Sequence, residues 1–191
     1  MQHIAIEGMD GVGKTTTSRL LAERLGYEYI EKNLHYLFDE DGRFDNYFRI
    51  RDKVNQSSDR LFTSWFYGLG NIYLYTLFKN KNIVTDRHFL SNYAWSGTKE
   101  NEDVYNLLVN KLGKPNLTVI LYANESTLFA RLRHRDEEDS DLAKVKIAKE
   151  KYEKMIFFCE KHQLPYMIID TSDKTPEEIV DQIIKRIEGR A

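Results

Sequence analysis

Short apolar runs alternate along the chain with longer stretches of helical patterning, the order expected of βαβ units around a parallel sheet. Five strands are predicted, at His3–Glu7, Tyr27–Glu31, Asn82–Thr85, Leu117–Tyr122 and Tyr166–Ile169. The last three read as apolar throughout, as strands buried on both faces do. Helices are predicted over Lys14–Leu25, Ser57–Lys79, Glu102–Leu112, Ser126–Arg133, Asp141–Lys161 and Thr175–Glu188. The final helix carries its own start chemistry: Thr175 as N-cap, Pro176 in the first turn and Glu178 three places on. The pattern predicts an α/β fold with a five-stranded parallel sheet flanked by helices on both faces.

A length of 191 residues fits one domain with a substantial core. With 41% apolar and 30% charged residues of mixed sign, the chain has a globular composition. Its formal net charge of −2 argues against a broad nucleic-acid face, so any anion site must be local. No apolar stretch is long enough to span a bilayer, and the first eight residues lack the basic start of a signal peptide. Cytoplasmic location is the expectation. The one cysteine, Cys159, lies beside Phe157 and Phe158 and reads as a buried thiol.

The strongest chemical signal comes directly after the first strand. Gly8-Met9-Asp10-Gly11-Val12-Gly13-Lys14-Thr15 satisfies GxxxxGK(S/T) between a hydrophobic strand and a helix. Glycines let backbone amides wrap a phosphate, and the helix N-terminus adds donors. Lys14 reaches the outer phosphates, and Thr15 is placed to ligate magnesium. The residues from Gly8 to Thr16 thus predict a nucleotide cradle within a P-loop NTPase fold.

Such a cradle serves switches as well as kinases. Asp39-Glu40-Asp41-Gly42 matches the DxxG element of GTPases, but Asn80-Lys81-Asn82-Ile83 has isoleucine where a guanine-reading aspartate belongs. The tetrad therefore reads as a solvated turn. Asp86-Arg87-His88 closes the third strand, where ligands of open parallel sheets bind. There Asp86 can hold magnesium through water and Arg87 can grip phosphoryl oxygens, although a structural ion pair would have the same sequence. Arg131 to Arg135, with the acidic run Asp136 to Asp139 after it, reads either as a solvated loop or as a lid near 133–141. In the lid reading Arg133 and Arg135 are the catalytic candidates, and Arg131 belongs to the preceding helix.

Two motifs resemble the thymidylate kinase family. Ile6 to Thr16 is similar to its strand and P-loop, including the acid at Asp10, and Asp86-Arg87-His88-Phe89-Leu90-Ser91-Asn92-Tyr93-Ala94-Trp95-Ser96 resembles its signature DR(Y/F/H)xxSxxA. The resemblance implies an ATP- and magnesium-dependent kinase of a nucleoside monophosphate. It assigns Asp10 to the acceptor sugar and Asp86 and Arg87 to phosphoryl transfer, and it brings Ser91, Trp95 and Ser96 near the acceptor base. Phe62 takes the position of a base-stacking aromatic, although on so apolar a helix a core role is equally open. A homodimer through helices is also implied.

Two departures bear on the acceptor. The arginine usual after the stacking aromatic is absent from Phe62-Thr63-Ser64-Trp65-Phe66-Tyr67, which leaves Arg49, Arg51 or Arg60 to bind the monophosphate. The segment after the second strand is Glu31-Lys32-Asn33 rather than proline- and glycine-rich. Related deoxynucleoside kinases place a base at the position of Glu31, so a kinase of the sugar hydroxyl is the alternative; those enzymes usually carry ERS and lack the loop acid. A switch without kinase activity is the second alternative. In the leading reading Lys14, Arg87 and Arg133 or Arg135 supply the cationic charge for in-line transfer.

Overall fold

Every residue of the opening strand, β1 (His3–Gly8), is buried, and the sheet is built around it. The computed structural model describes residues 1–39, 42–135 and 140–189. After β1 come α1 (Lys14–Leu25), β2 (Glu28–Glu31), α2 (His35–Phe38), α3 (Asp45–Asn55) and α4 (Arg60–Leu77). Next are β3 (Ile83–Asp86), α5 (Phe89–Ser96), α6 (Glu102–Leu112), β4 (Leu117–Tyr122) and α7 (Glu125–Arg135). A 3-10 segment (Ser140–Ile147), α8 (Ala148–His162), β5 (Tyr166–Asp170) and α9 (Pro176–Glu188) complete the order. The acidic run at 136–139 and the middle of the DEDG tetrad lie outside the described residues. No described helix is long and apolar enough to cross a membrane.

The strands run parallel in the order β2-β3-β1-β4-β5. Register aligns their carboxyl ends: Ile6 faces Asp86, Asp86 faces Glu31, and Gly8 faces Leu121. The strand order reverses at β1, so the loop after it opens into the crevice where such sheets bind ligands.

The pleat of β1 divides the core in two. Ile4 and Ile6 join Val119 and Leu121 beneath Leu21 of α1 and Val180 and Ile183 of α9. On the opposite face Ile120 lies among Phe89, Tyr93, Tyr105 and Phe158 of α5, α6 and α8. His3, Glu7 and Thr85 are also buried, so apolar patterning alone does not describe these strands.

Three differences from the sequence pattern have physical causes. Helices α2, α3 and α5 are additional to the predicted set: α2 is one turn, and α5 buries residues all round, which leaves no amphipathic period. Helix α4 begins at Arg60 rather than Ser57, because the Asp59 carboxylate accepts from the Phe62 amide at 3.0 Å. Strand β5 lies at the sheet edge, so Ile168 remains 44% exposed instead of being buried on both faces. Cys159 is fully buried among aromatic rings, and burial pushes its thiol up to about 12.

Candidate active site

The turn after β1 needs its glycines for two separate reasons. A Cβ at Gly8 would stand 2.3 Å from the Leu121 carbonyl oxygen, so only glycine lets the loop leave the sheet there. Gly13 has φ 93° with nothing within 4 Å of a Cβ position, so its backbone angle sets the requirement. The turn is braced from behind, where the Thr171 hydroxyl donates to the Val12 carbonyl at 3.1 Å. Arg131 donates to the Thr171 carbonyl at 2.6 Å and reaches the Gly11 carbonyl at 3.4 Å. Beside this brace lies a cleft of about 320 Å³ lined by Val12, Gly13, Thr16, Arg131, Thr171 and Lys174.

At the end of β3 the Thr15 hydroxyl donates to Asp86 at 2.5 Å. These are two oxygen ligands of the kind magnesium takes, at the mouth of the glycine loop. Lys14 is only 6% exposed and donates to the Met9 carbonyl at 2.6 Å. Burial, and then the nearby Arg87 guanidinium, pull its pKa down to about 8. A buried ammonium held in that state gains most from a phosphate anion, and with the Thr15–Asp86 pair it makes this cradle fit a magnesium polyphosphate.

Arg87 has a left-handed backbone, φ 75°, unusual for a side-chain-bearing residue. Its amide donates to the Ile6 carbonyl at 2.9 Å. The buried Glu7 carboxylate holds the adjoining start of α5. It accepts from the amides of His88 at 2.8 Å, Leu90 at 3.0 Å and Ser91 at 3.2 Å, and from the Ser91 hydroxyl at 2.5 Å. Burial raises its pKa, against the opposing pull of the Ser91 hydroxyl and the Arg87 charge. The Arg87 guanidinium then donates to Asp10, to the Ser91 hydroxyl at 3.1 Å and to the Gly8 carbonyl at 3.3 Å.

Asp10 gathers cations from three directions. Besides Arg87, Lys14 stands 3.6 Å away and Lys144 of the 3-10 segment 3.9 Å away. Burial opposes its charged form, but Arg87, Lys14 and Lys144 outweigh that and hold the carboxyl well below the usual range. Lys144 and Lys151 both approach the Trp95 ring, their ammonium groups standing 5.6 and 5.1 Å from its centroid.

Comparison with known proteins decides the family. The thymidylate kinase family model matches residues 6–183, nearly the whole chain. The chain belongs to the thymidylate kinase family. It is a nucleoside monophosphate kinase, a phosphotransferase of nucleotide substrates. A probable thymidylate kinase 1 of Saccharolobus solfataricus is 27% identical over 193 residues, covering 97% of this chain and 96% of that protein. A putative adenylate kinase of Thermococcus kodakarensis is 29% identical over 186 residues, covering 96% of this chain and 84% of its own. Among solved structures, thymidylate kinase of Candida albicans superposes with a TM-score of 0.69 at 18% identity, covering 99% of this chain and 92% of that one. Deoxyadenosine kinase of M. mycoides with bound dCTP gives 0.64 at 18% identity, covering 98% and 100%.

Within this family framework the predicted residues separate. Lys14, Thr15, Asp10, Asp86, Arg87 and Ser91 come together around the glycine loop. Trp95 joins them through Lys144. Glu31 stands level with Asp86 but pairs with Arg19 at 3.0 Å and with Lys32. Burial works against its charged form, yet Lys32 and Arg19 lower its pKa, which leaves it a weak base. Phe62 is 50% exposed, which excludes the core role. Ser96 is buried, and its carbonyl accepts from Asn101 at 2.9 Å and Ser64 at 3.4 Å inside the α4–α5–α6 packing. Arg133 is exposed and Arg135 pairs with Asp141 at 2.7 Å; both lie in the last turn of α7, so the preceding helix carries all three arginines rather than Arg131 alone.

Three participants carry little or no sequence signal. Glu7 is hidden inside an apolar strand, although strand alternation sends it toward α5. Arg131 reads as part of its helix alone, and Lys144 lies in a segment with no motif. Of the three arginines offered for the acceptor, Arg51 lies 4.8 Å over the Phe48 ring and pairs with Asp52.

The lowered Lys14 predicts a pH signature. In the protein alone Lys14 loses its proton as pH rises through about 8, whereas polyphosphate oxygens would keep it charged. Binding of inorganic pyrophosphate above that pH should therefore take up a proton and weaken as pH climbs. Calorimetry in buffers of different ionisation heat measures this directly; binding without proton uptake would contradict it.

Proposed function

We propose that this enzyme transfers the γ-phosphoryl group of ATP to the phosphate of dTMP, giving dTDP. The observation carrying this reading is the convergence of both family motifs on one charged cluster, with Arg87 against Asp10 and Lys14 behind them. The triphosphate would lie along Gly8 to Thr16, with its base toward the cleft of Arg131, Thr171 and Lys174. Thr15 and Asp86 would hold magnesium, whose charge when bound neutralises phosphate oxygens.

The acceptor would sit under Trp95, with its sugar at Asp10 and its base near Phe62, Tyr47 and Tyr67. Arg51 would grip its phosphate from α3. A monophosphate oxygen is already anionic, so positioning and charge matter more than a base. That suits a site where Glu31 is paired and weakly basic, and it disfavours a deoxynucleoside acceptor. The segment 133–141 would act as a lid on a single kinase domain, bringing Arg133 or Arg135 over the phosphates. AMP is the second acceptor to test, because relatives named putative adenylate kinase reach 29% identity.

A panel of dTMP, UMP, AMP and thymidine with ATP should give fastest turnover with dTMP. Lys14→Ala should abolish turnover with every acceptor. Transfer only to thymidine would refute the monophosphate reading, and full activity of Lys14→Ala would refute the placement of ATP.

The surface supports the expected homodimer. Leu61, Trp65, Leu69 and Ile72 form an exposed stripe along α4, each 38–50% accessible. At three- and four-residue spacing they line one face, a surface that a second copy would cover. Sedimentation should show a dimer for the native chain and a monomer for Leu69→Glu; a native monomer would contradict the assignment.

A further inference from the structure

Asp10 is the only side-chain anion that the described residues place within ion-pair distance of Arg87, Lys14 and Lys144 together. Each of those cations comes from a different element: the start of α1, the end of β3 and the 3-10 segment. The carboxylate itself is 23% exposed, so a ligand entering the crevice can reach it. Arg87 offers Asp10 only one of its two terminal nitrogens; the other is taken by the Ser91 hydroxyl and the Gly8 carbonyl. A phosphate presents more charge and more acceptor oxygens than a carboxylate, and it matches the guanidinium fork.

We propose that Asp10 is a specificity-determining residue, an internal counter-anion that occupies the transfer cations until the phosphate of an acceptor nucleotide replaces it. The inference rests on the monophosphate-kinase reading above and adds how the acceptor class is chosen. An acceptor phosphate takes over Arg87 and frees Asp10 to accept from the acceptor's sugar hydroxyl. Lys144 is held mainly by Asp141, so the exchange concerns Arg87 above all. Neither a neutral acceptor nor water adds a second anion, beside the triphosphate on the loop, to displace the carboxylate from Arg87. In the wasteful reaction a water oxygen bonds to the γ-phosphorus, the bond to the ADP oxygen breaks, and the water's proton passes to solvent. Asp10 slows that step by keeping Arg87 off the phosphoryl oxygens.

Asp10→Asn keeps the shape and removes the charge. Titration with inorganic phosphate alone should show about tenfold tighter binding to Asp10→Asn than to the native chain, the factor for removing one competing charge-assisted bond. The gain should vanish when Arg87→Met is added. ATP hydrolysis without acceptor should rise by about the same factor in Asp10→Asn. Unchanged phosphate affinity, or a gain that survives Arg87→Met, would overturn the proposal. Unchanged hydrolysis would overturn it as well. Asp10→Ser, smaller and also uncharged, should reproduce the tighter binding, and failure to do so counts against the charge argument. Phosphate titration needs no kinase activity, so a native enzyme inactive toward every monophosphate would refute the functional reading separately.

Discussion

The arrangement depends on one buried carboxylate. Glu7 sits at the end of the central strand, fully shielded from water, and takes four hydrogen bonds from the first turn of α5 and the residue before it. Burying a charge is costly unless it is fully hydrogen-bonded, and here three of the four donors are backbone amides that the helix start would otherwise leave unmet, the fourth being the Ser91 hydroxyl. The exchange fixes where α5 begins. It thereby fixes Arg87, which must adopt a left-handed backbone to carry the chain from β3 into that helix.

This anchor sets the charge distribution. Arg87 is aimed back across the sheet end at the glycine loop, where it meets Asp10 and raises the electrostatic load on Lys14. Arg87, Lys14 and Lys144 converge on Asp10, at a place that a polyphosphate and an acceptor phosphate would share. Strand order puts this cluster at the sheet's reversal point, with β3 on one side of β1 and β4 on the other. Family membership and geometry thus meet at the same few residues, although the fold alone is shared with deoxyadenosine kinase.

Much of this is legible in the sequence because strand and loop chemistry are local. The five strands and the glycine loop announce themselves through short apolar runs and a motif whose spacing a phosphate dictates. Helix α5 is hidden because burial on all sides erases helical periodicity. Glu7 is hidden because a lone acid in an apolar strand gives no hint of what lies across the pleat. Lys144 and Arg131 reach the loop only through tertiary packing, from segments whose composition resembles any solvated surface. Ser96 shows the converse: its motif position suggests the acceptor, but its carbonyl serves the packing of three helices.

The central claim is that Glu7, by holding the start of α5, positions Arg87 for the proposed transfer. Steady-state kinetics of Glu7→Gln test it most directly, since the amide keeps the shape but cannot accept all four donors. The account predicts a turnover number reduced by about a hundredfold with KM for ATP little changed, as expected when a transition-state contact is misplaced. A variant that turns over at the native rate would contradict it.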